Sequence, residues 1–141
     1  MNKERKRIQI KKEIIKTQKA PSAIGPYSQA IKTGNLLFLS GQISIDPETN
    51  EFVDSDIEMQ SEQVLKNIKA ILEAGGSSLE DVVKVTIYLQ DIKNFASVNK
   101  IYSKYFENNL PARSCIEVSS LPRNAKLEID AIAIKNVTRK I

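Results

Sequence analysis

Two segments near the C-terminus carry ionisable groups inside an otherwise apolar pattern, and two of these groups are the first candidates for chemistry. Arg113 lies in the segment 112–119, and Glu128 lies in the segment 126–135. Charged side chains are seldom fully buried unless they are paired. The pattern leaves two interpretations open. One is an ordinary ion pair on a solvated face, which contributes little to stability, and the other is a polar pocket or a seam between subunits.

The same two segments predict the elements that position these residues. Side chains alternate between the faces of a strand, so a strand over 112–119 places Arg113 on one defined face. A second strand over 126–135 places Glu128 on the face opposite a row of apolar residues. Proline and asparagine mark a turn at 121–125 between the two strands. We therefore expect a β-hairpin that carries the site.

The rest of the chain predicts an α+β fold. Apolar residues recur every three or four positions in two segments, 58–73 and 94–106, which indicates two amphipathic helices. Alternating or continuous apolar runs indicate further strands at 13–16, 28–33, 36–40 and 82–90. The order β-β-β-α-β-α-β-β places the two helices on one face of a single mixed sheet. The other face would be exposed and partly apolar, so we expect a closed symmetric oligomer to cover it.

Composition excludes several kinds of protein and of site. The chain has 141 residues, of which 41% are hydrophobic and 27% charged, as is typical of one soluble domain. It has no His and a single Cys, so a conventional zinc site, a Ser-His-Asp triad and an internal disulfide are excluded. No apolar run approaches the roughly 20 residues that span a bilayer. We expect no metal, no membrane partner and a cytoplasmic location. A mitochondrial location is disfavoured, because 1–19 is Lys-rich and has no Ser.

The basic charge of the chain belongs to its N-terminus. Residues 1–19 contain eight basic and two acidic side chains, a net charge of +6, whereas the whole chain carries +4 and the remaining 122 residues therefore carry −2. A basic block without aromatic residues is more typical of a solvated chain end than of a nucleic-acid-binding arm. We divide the chain into a basic N-terminal extension at 1–12 and one domain at 13–141, and we expect no nucleic-acid partner.

Several blocks of sequence, in order, resemble the RidA/YjgF family of reactive-intermediate deaminases, whose members are also described as endoribonuclease L-PSP-like. The blocks are APSAIGPYSQ at 20–29, LSGQI at 39–43, VVKVTIYLQD at 82–91, PARSC at 111–115 and EIDAIA at 128–133. The resemblance covers 14–135. It implies the fold of the Bacillus-type chorismate mutase and a homotrimer with three pockets at the subunit interfaces. Periodicity predicts the exposed sheet face but not the number three.

The resemblance also implies an activity and a set of site residues. Members of the family hydrolyse reactive 2-imino acids and enamine acids, such as 2-iminobutanoate and 2-iminopropanoate, to 2-oxo acids and ammonia without a cofactor, which prevents damage to pyridoxal-phosphate enzymes. Arg113 would hold the planar carboxylate through its forked guanidinium, and Glu128 would position the attacking water and relay its proton. The residues that would shape the pocket are Tyr27, Ser40, Gly41, Asn99 and Cys115. Cys115 would contribute its backbone N–H and a wall, since no His is present to activate its thiol.

Two other classes of function remain open. The protein could be a trimer that binds 2-oxo acids or amino acids without turnover, as some relatives do, or an RNA-directed translation inhibitor or ribonuclease. A chain without His, whose body carries a net charge of −2, has few groups for acid-base cleavage of RNA. The sequence departs from the family pattern at Leu110, where an aromatic residue is common, and this leaves the preferred substrate side chain open.

Overall fold

A computed structural model describes residue 5, residue 7 and residues 9–135, which form six strands and two helices. The strands are β1 (Lys12–Ile15), β2 (Ala30–Thr33), β3 (Leu36–Gln42), β4 (Val82–Leu89), β5 (Ala112–Glu117) and β6 (Leu127–Ile134), and the helices are α1 (Ile57–Ala74) and α2 (Phe95–Tyr105). The predicted element order is confirmed, and each boundary lies within two residues of the predicted one. Half of the predicted basic extension at 1–12, namely residues 1–4, 6 and 8, lies outside the described residues.

All six strands belong to one mixed sheet with the order β1-β2-β3-β6-β4-β5. Strands β4 and β5 are parallel, and every other neighbouring pair is antiparallel. The predicted hairpin between β5 and β6 is wrong, because β4 lies between them. The physical reason is that β4, α2 and β5 form a β-α-β unit, whose two strands run parallel, so that β6 takes the other edge of β4.

Helix α1 packs on the centre of the sheet and defines its buried face. The carboxylate of Asp56 accepts a hydrogen bond from the backbone N–H of Met59 (2.8 Å), which satisfies one of the free donors at the start of the helix. The apolar face of α1 contacts β3, β6 and α2. Its fully buried side chains include Val64, Leu65 and Ile68, and they pack over Leu127 and Ile129 of β6 in one hydrophobic core.

The sheet face away from the helices is open in the single chain and partly apolar. Leu36 and Phe38 on β3, Ile116 on β5 and Ile134 on β6 are each between 39% and 46% exposed. The alternation of side chains along the strands predicted this exposed face. An exposed apolar surface of this kind is unusual for a monomer. Within the described part of the chain, no helix is both long and apolar enough to cross a membrane.

Candidate functional site

The predicted site residues line two separate cavities of the single chain. The first, which we call the basic cavity, has a volume of about 490 Å³ and is lined by Asn99, Tyr102, Ser103, Phe106, Leu110, Pro111 and Arg113. The second, which we call the acidic cavity, has a volume of about 390 Å³, and Glu128 lines it together with Tyr27, Ser40 and Gly41. Cys115 lies two residues beyond Arg113 on β5 and lines neither cavity.

Arg113 and Glu128 lie on opposite faces of the sheet. Arg113 is the register partner of Val85, which is buried beneath the helices, and its side chain contacts α2. Glu128 lies between Leu127 and Ile129, which are both buried on the helix-covered side, so it emerges on the open face. Because the sheet separates the two groups, one chain cannot bring both to the same small substrate.

The guanidinium of Arg113 is held by one amide and two aromatic rings. Its Nη1 donates a hydrogen bond to Oδ1 of Asn99 (2.8 Å). Its Cζ lies 4.7 Å from the ring centroid of Tyr102 and 5.3 Å from that of Phe95, which are both distances for a cation–π contact. The ion pairs of the described residues are Lys32 with Glu13 and Lys100 with Glu58, so Arg113 has no carboxylate partner there. The arrangement fixes a cation and leaves donors free for an anion.

Helix α2 supplies these three contacts from one of its faces. Phe95, Asn99 and Tyr102 occupy positions i, i+4 and i+7, which lie above one another on a helix. The family resemblance identified Asn99, but the sequence analysis did not assign a site role to Phe95 or Tyr102. Their spacing from Asn99 was the available signal, since residues at these intervals meet the same partner.

Burial raises the pKa of the Cys115 thiol above its usual range, and the positive charge of Arg113 opposes this shift. The thiol therefore stays protonated at neutral pH, and a protonated thiol is a poor nucleophile. This electrostatic environment agrees with the expectation that Cys115 is not an activated nucleophile.

In the acidic cavity, Glu128 packs directly against the backbone of β3. A β-carbon placed on Gly41 would lie 2.5 Å from Oε2 of Glu128, so only glycine admits this close approach. The register of β3 and β6 shifts between Leu39 and Gln42, which locates this contact at an irregularity of the ladder. The irregular strand and its glycine thus set where the carboxylate of Glu128 lies.

The electrostatic environment of Glu128 favours its protonated form. Burial raises the pKa of Glu128, and the negative charge of Asp130, two residues along the same face of β6, raises it further. Asp130 is itself held by a hydrogen bond from the hydroxyl of Tyr88 (3.0 Å). A carboxylate that takes up a proton more readily than usual is suited to accept a proton from water and to return it.

The rim of the acidic cavity is tied together by a buried amide that the sequence analysis missed. Gln29 is only 3% exposed, and its side chain accepts from the backbone N–H of Thr17 (2.7 Å) and donates to the backbone oxygen of Pro21 (2.7 Å). The hydroxyl of Ser40 donates to the backbone oxygen of Ser28 (2.6 Å). Tyr27 lies at the rim and is 52% exposed. Nothing in the residue type of Gln29 distinguishes it from a surface glutamine.

The described residues contain no group of three or more Cys, Asp or Glu side chains arranged to hold a metal ion. The donor set of the two cavities consists instead of one guanidinium, one carboxylate, hydroxyls and amides. This set can bind a carboxylate at one end and exchange a proton at another.

Comparison with known proteins places the chain in a family. The family model described as Endoribonuclease L-PSP matches residues 17–135. The chain is 55% identical over 124 residues to the chloroplastic Reactive Intermediate Deaminase A of Arabidopsis thaliana. The aligned region covers 88% of this chain and 66% of that protein. The crystal structure of a putative endoribonuclease of Thermotoga maritima superposes with a TM-score of 0.86 at 56% identity, covering 89% of this chain and 98% of the other.

A further solved structure is that of Escherichia coli TdcF with bound serine, which has a TM-score of 0.84 and 42% identity and covers 88% of this chain and 99% of the other. The match to the family model extends over both cavities and over every strand of the sheet from β2 onward. The fold inferred from the resemblance is thereby confirmed, and the chain belongs to the RidA/YjgF family.

Proposed function

We propose that the protein is a hydrolytic deaminase that converts reactive 2-imino acids and their enamine tautomers, with 2-iminobutanoate and 2-iminopropanoate as substrates, into 2-oxo acids and ammonia. The 55% identity to a Reactive Intermediate Deaminase A supports a deaminase activity in general. The observation that carries the proposal for small 2-imino acids is the environment of Arg113. A guanidinium stacked on two rings, with no carboxylate partner among the described residues, is prepared for the carboxylate of a substrate.

The proposal requires a neighbouring copy of the chain. Arg113 and Glu128 lie on opposite faces of one sheet, so a complete site combines Arg113 of one copy with Glu128 of another. The open apolar face, which also carries Glu128, is the surface that such a neighbour would cover. We propose a homotrimer with one site at each subunit interface.

In the proposed reaction, Arg113 holds the substrate carboxylate, and Glu128 accepts a proton from water as the water oxygen adds to the carbon of the protonated iminium. Glu128 returns this proton to nitrogen, which gives an ammonium group on a tetrahedral carbon. The new hydroxyl then loses its proton to Glu128 as the carbon–nitrogen bond breaks, and the expelled ammonia takes that proton up. One iminium and one water thus give one 2-oxo acid and one ammonium ion, and Glu128 ends as it began.

A competition assay tests this proposal. A threonine or serine dehydratase generates the imine, semicarbazide traps it, and added protein competes with the trap. We expect wild type to suppress the trapped adduct. Arg113→Ala and Arg113→Lys should not suppress it, because neither side chain offers the bidentate fork. Size-exclusion chromatography with light scattering checks that all three proteins assemble alike. If wild type fails to compete, the deaminase proposal is wrong.

A second candidate function is binding without turnover. It is favoured by the Escherichia coli relative that was solved with bound serine, because an amino acid presents the same carboxylate to an arginine. On this alternative, wild type would bind serine or a 2-oxo acid in an Arg113-dependent way and would leave the semicarbazide adduct unchanged.

A further inference from the structure

The hydroxyl of Tyr102 is a buried polar group without a partner in the described chain. Tyr102 is 6% exposed, and its Oη forms no hydrogen bond there. Buried tyrosine hydroxyls usually have a partner, because an unsatisfied buried hydroxyl lowers stability. A ligand that forms the missing hydrogen bond would explain why a hydroxyl is present at this buried position.

The surroundings of this hydroxyl indicate which ligand would fit. Tyr102 lines the basic cavity together with Arg113, and no acidic residue lines that cavity. Nη1 of Arg113 donates to Asn99, and no carboxylate of the described residues pairs with the guanidinium. Burial also raises the pKa of Tyr102, and the charge and close approach of the Arg113 guanidinium oppose this shift, so the phenol keeps its proton at neutral pH. The guanidinium lies near the hydroxyl without the geometry of a hydrogen bond, so the hydroxyl stays available to a ligand. The cavity offers hydrogen-bond donors and positive charge in excess of acceptors.

We propose that Tyr102 is a substrate-binding residue whose hydroxyl donates a hydrogen bond to the carboxylate held by Arg113. Its ring stacks on the guanidinium, so one side chain both orients the cation and adds a further donor for the anion. This inference rests on the proposed function, because it takes the carboxylate of a 2-imino acid or 2-oxo acid as the ligand.

The next tyrosine on the same helix provides a contrast. Tyr105 lies three residues further along α2, and its hydroxyl donates to Oε1 of Glu62 at 2.8 Å. Helix α2 therefore carries one tyrosine whose hydroxyl stabilises the fold and one whose hydroxyl the described fold does not use. Tyr105→Phe is the matched control for Tyr102→Phe, since both variants remove a single hydroxyl from α2.

The experiment measures the Kd of 2-oxobutanoate by calorimetry and the Tm of the ligand-free protein. Tyr102→Phe keeps the ring beside Arg113 and removes the hydroxyl. We expect its Kd to rise by about tenfold or more, the usual effect of losing a hydrogen bond to a charged group. Its ligand-free Tm should equal or exceed that of wild type, because an unsatisfied buried group is removed. Tyr105→Phe should show the opposite: a lower Tm and an unchanged Kd.

Two results would overturn the inference. One is an unchanged Kd for Tyr102→Phe when Arg113→Lys binds no 2-oxobutanoate. The other is a lower ligand-free Tm for Tyr102→Phe, because the hydroxyl would then have a structural partner in the assembly. Failure of the deaminase proposal looks different. In that case wild type leaves the semicarbazide adduct unchanged, while 2-oxobutanoate still binds with a Kd that depends on Tyr102.

Discussion

Two inactive variants should restore activity to each other if the site is shared between copies of the chain. Arg113→Ala lacks the carboxylate clamp, and Glu128→Gln lacks the proton acceptor, so each variant alone should be inactive. A mixed oligomer contains interfaces at which an intact Arg113 from one copy meets an intact Glu128 from the next. The positions of these residues on opposite faces of the sheet predict this complementation.

The expected recovery follows from counting interfaces. In oligomers mixed at random in equal amounts, half of the copies at each interface supply Arg113 and, independently, half supply Glu128. About one quarter of the sites are then complete, and the mixture should show about one quarter of wild-type activity, whatever the number of subunits in the ring. A site within a single chain would recover none.

The assay co-expresses the two variants with different affinity tags and purifies the mixed species through both tags. This step removes the homo-oligomers, so each purified mixed trimer has one complete site of three, and the expected recovery rises from about one quarter to about one third of wild-type activity. The semicarbazide competition then gives the rate per subunit, and native mass spectrometry gives the composition. The matched control pairs Arg113→Ala with the double variant Arg113→Ala/Glu128→Gln, which cannot form a complete site. If verified mixed oligomers recover no activity, the sharing of the site is refuted.

Two further predictions concern the acidic cavity. Asp130→Asn removes a negative charge that raises the pKa of Glu128, so the pKa of Glu128 should fall in this variant. The acidic limb of the kcat–pH profile should then move to lower pH. A limb that does not move would contradict the assignment of Glu128 as the proton acceptor. Gly41→Ala places a carbon 2.5 Å from Oε2 of Glu128, so the carboxylate must move by about 1 Å, and kcat should fall about 100-fold. An unchanged kcat for Gly41→Ala would refute the role of this contact in placing the carboxylate of Glu128.

The strands and helices were predictable because each follows from a pattern within its own segment. The three-to-four spacing of apolar residues predicted α1, and the alternation from Val82 to Leu89 predicted β4, both close to their observed boundaries. The order of the strands was not predictable in this way. Pro122 and Asn124 indicate a turn. Such a turn can join two strands that pair with each other, and it can equally join two strands that pair with opposite edges of a third strand, as β5 and β6 do with β4. Local turn chemistry carries no information about which strand lies between.

The division of the site could not be predicted for the same reason. Alternation shows that Arg113 and Cys115 share a face of β5, and that Glu128 and Asp130 share a face of β6. Which of these faces the helices cover depends on strand pairing and register, which no single strand encodes. The partner of Arg113 was more accessible to sequence reasoning, since the helical spacing of Phe95, Asn99 and Tyr102 follows from the sequence alone.

The charges on the two sheet faces also constrain how copies of the chain can meet. Glu128 and Asp130 lie on the open face and form no ion pair with any described cation, and the ammonium group of Lys84 on that face is bound to the hydroxyl of Ser114 (3.0 Å). Covering two carboxylates with an apolar neighbour would be costly, so the covering surface or its ligand must bring positive charge to them.

A 2-iminium acid supplies this charge at one end and a carboxylate at the other. Its carboxylate complements the basic cavity, and its iminium complements the acidic one, so each half of the substrate fits a different face of the sheet. An amino acid has the same two charges but no electrophilic carbon, and it would bind at such an interface without reacting. On the proposed function, such an interface would select first for a small zwitterion, and the planar, electron-poor carbon beside Glu128 would then decide which zwitterion is hydrolysed.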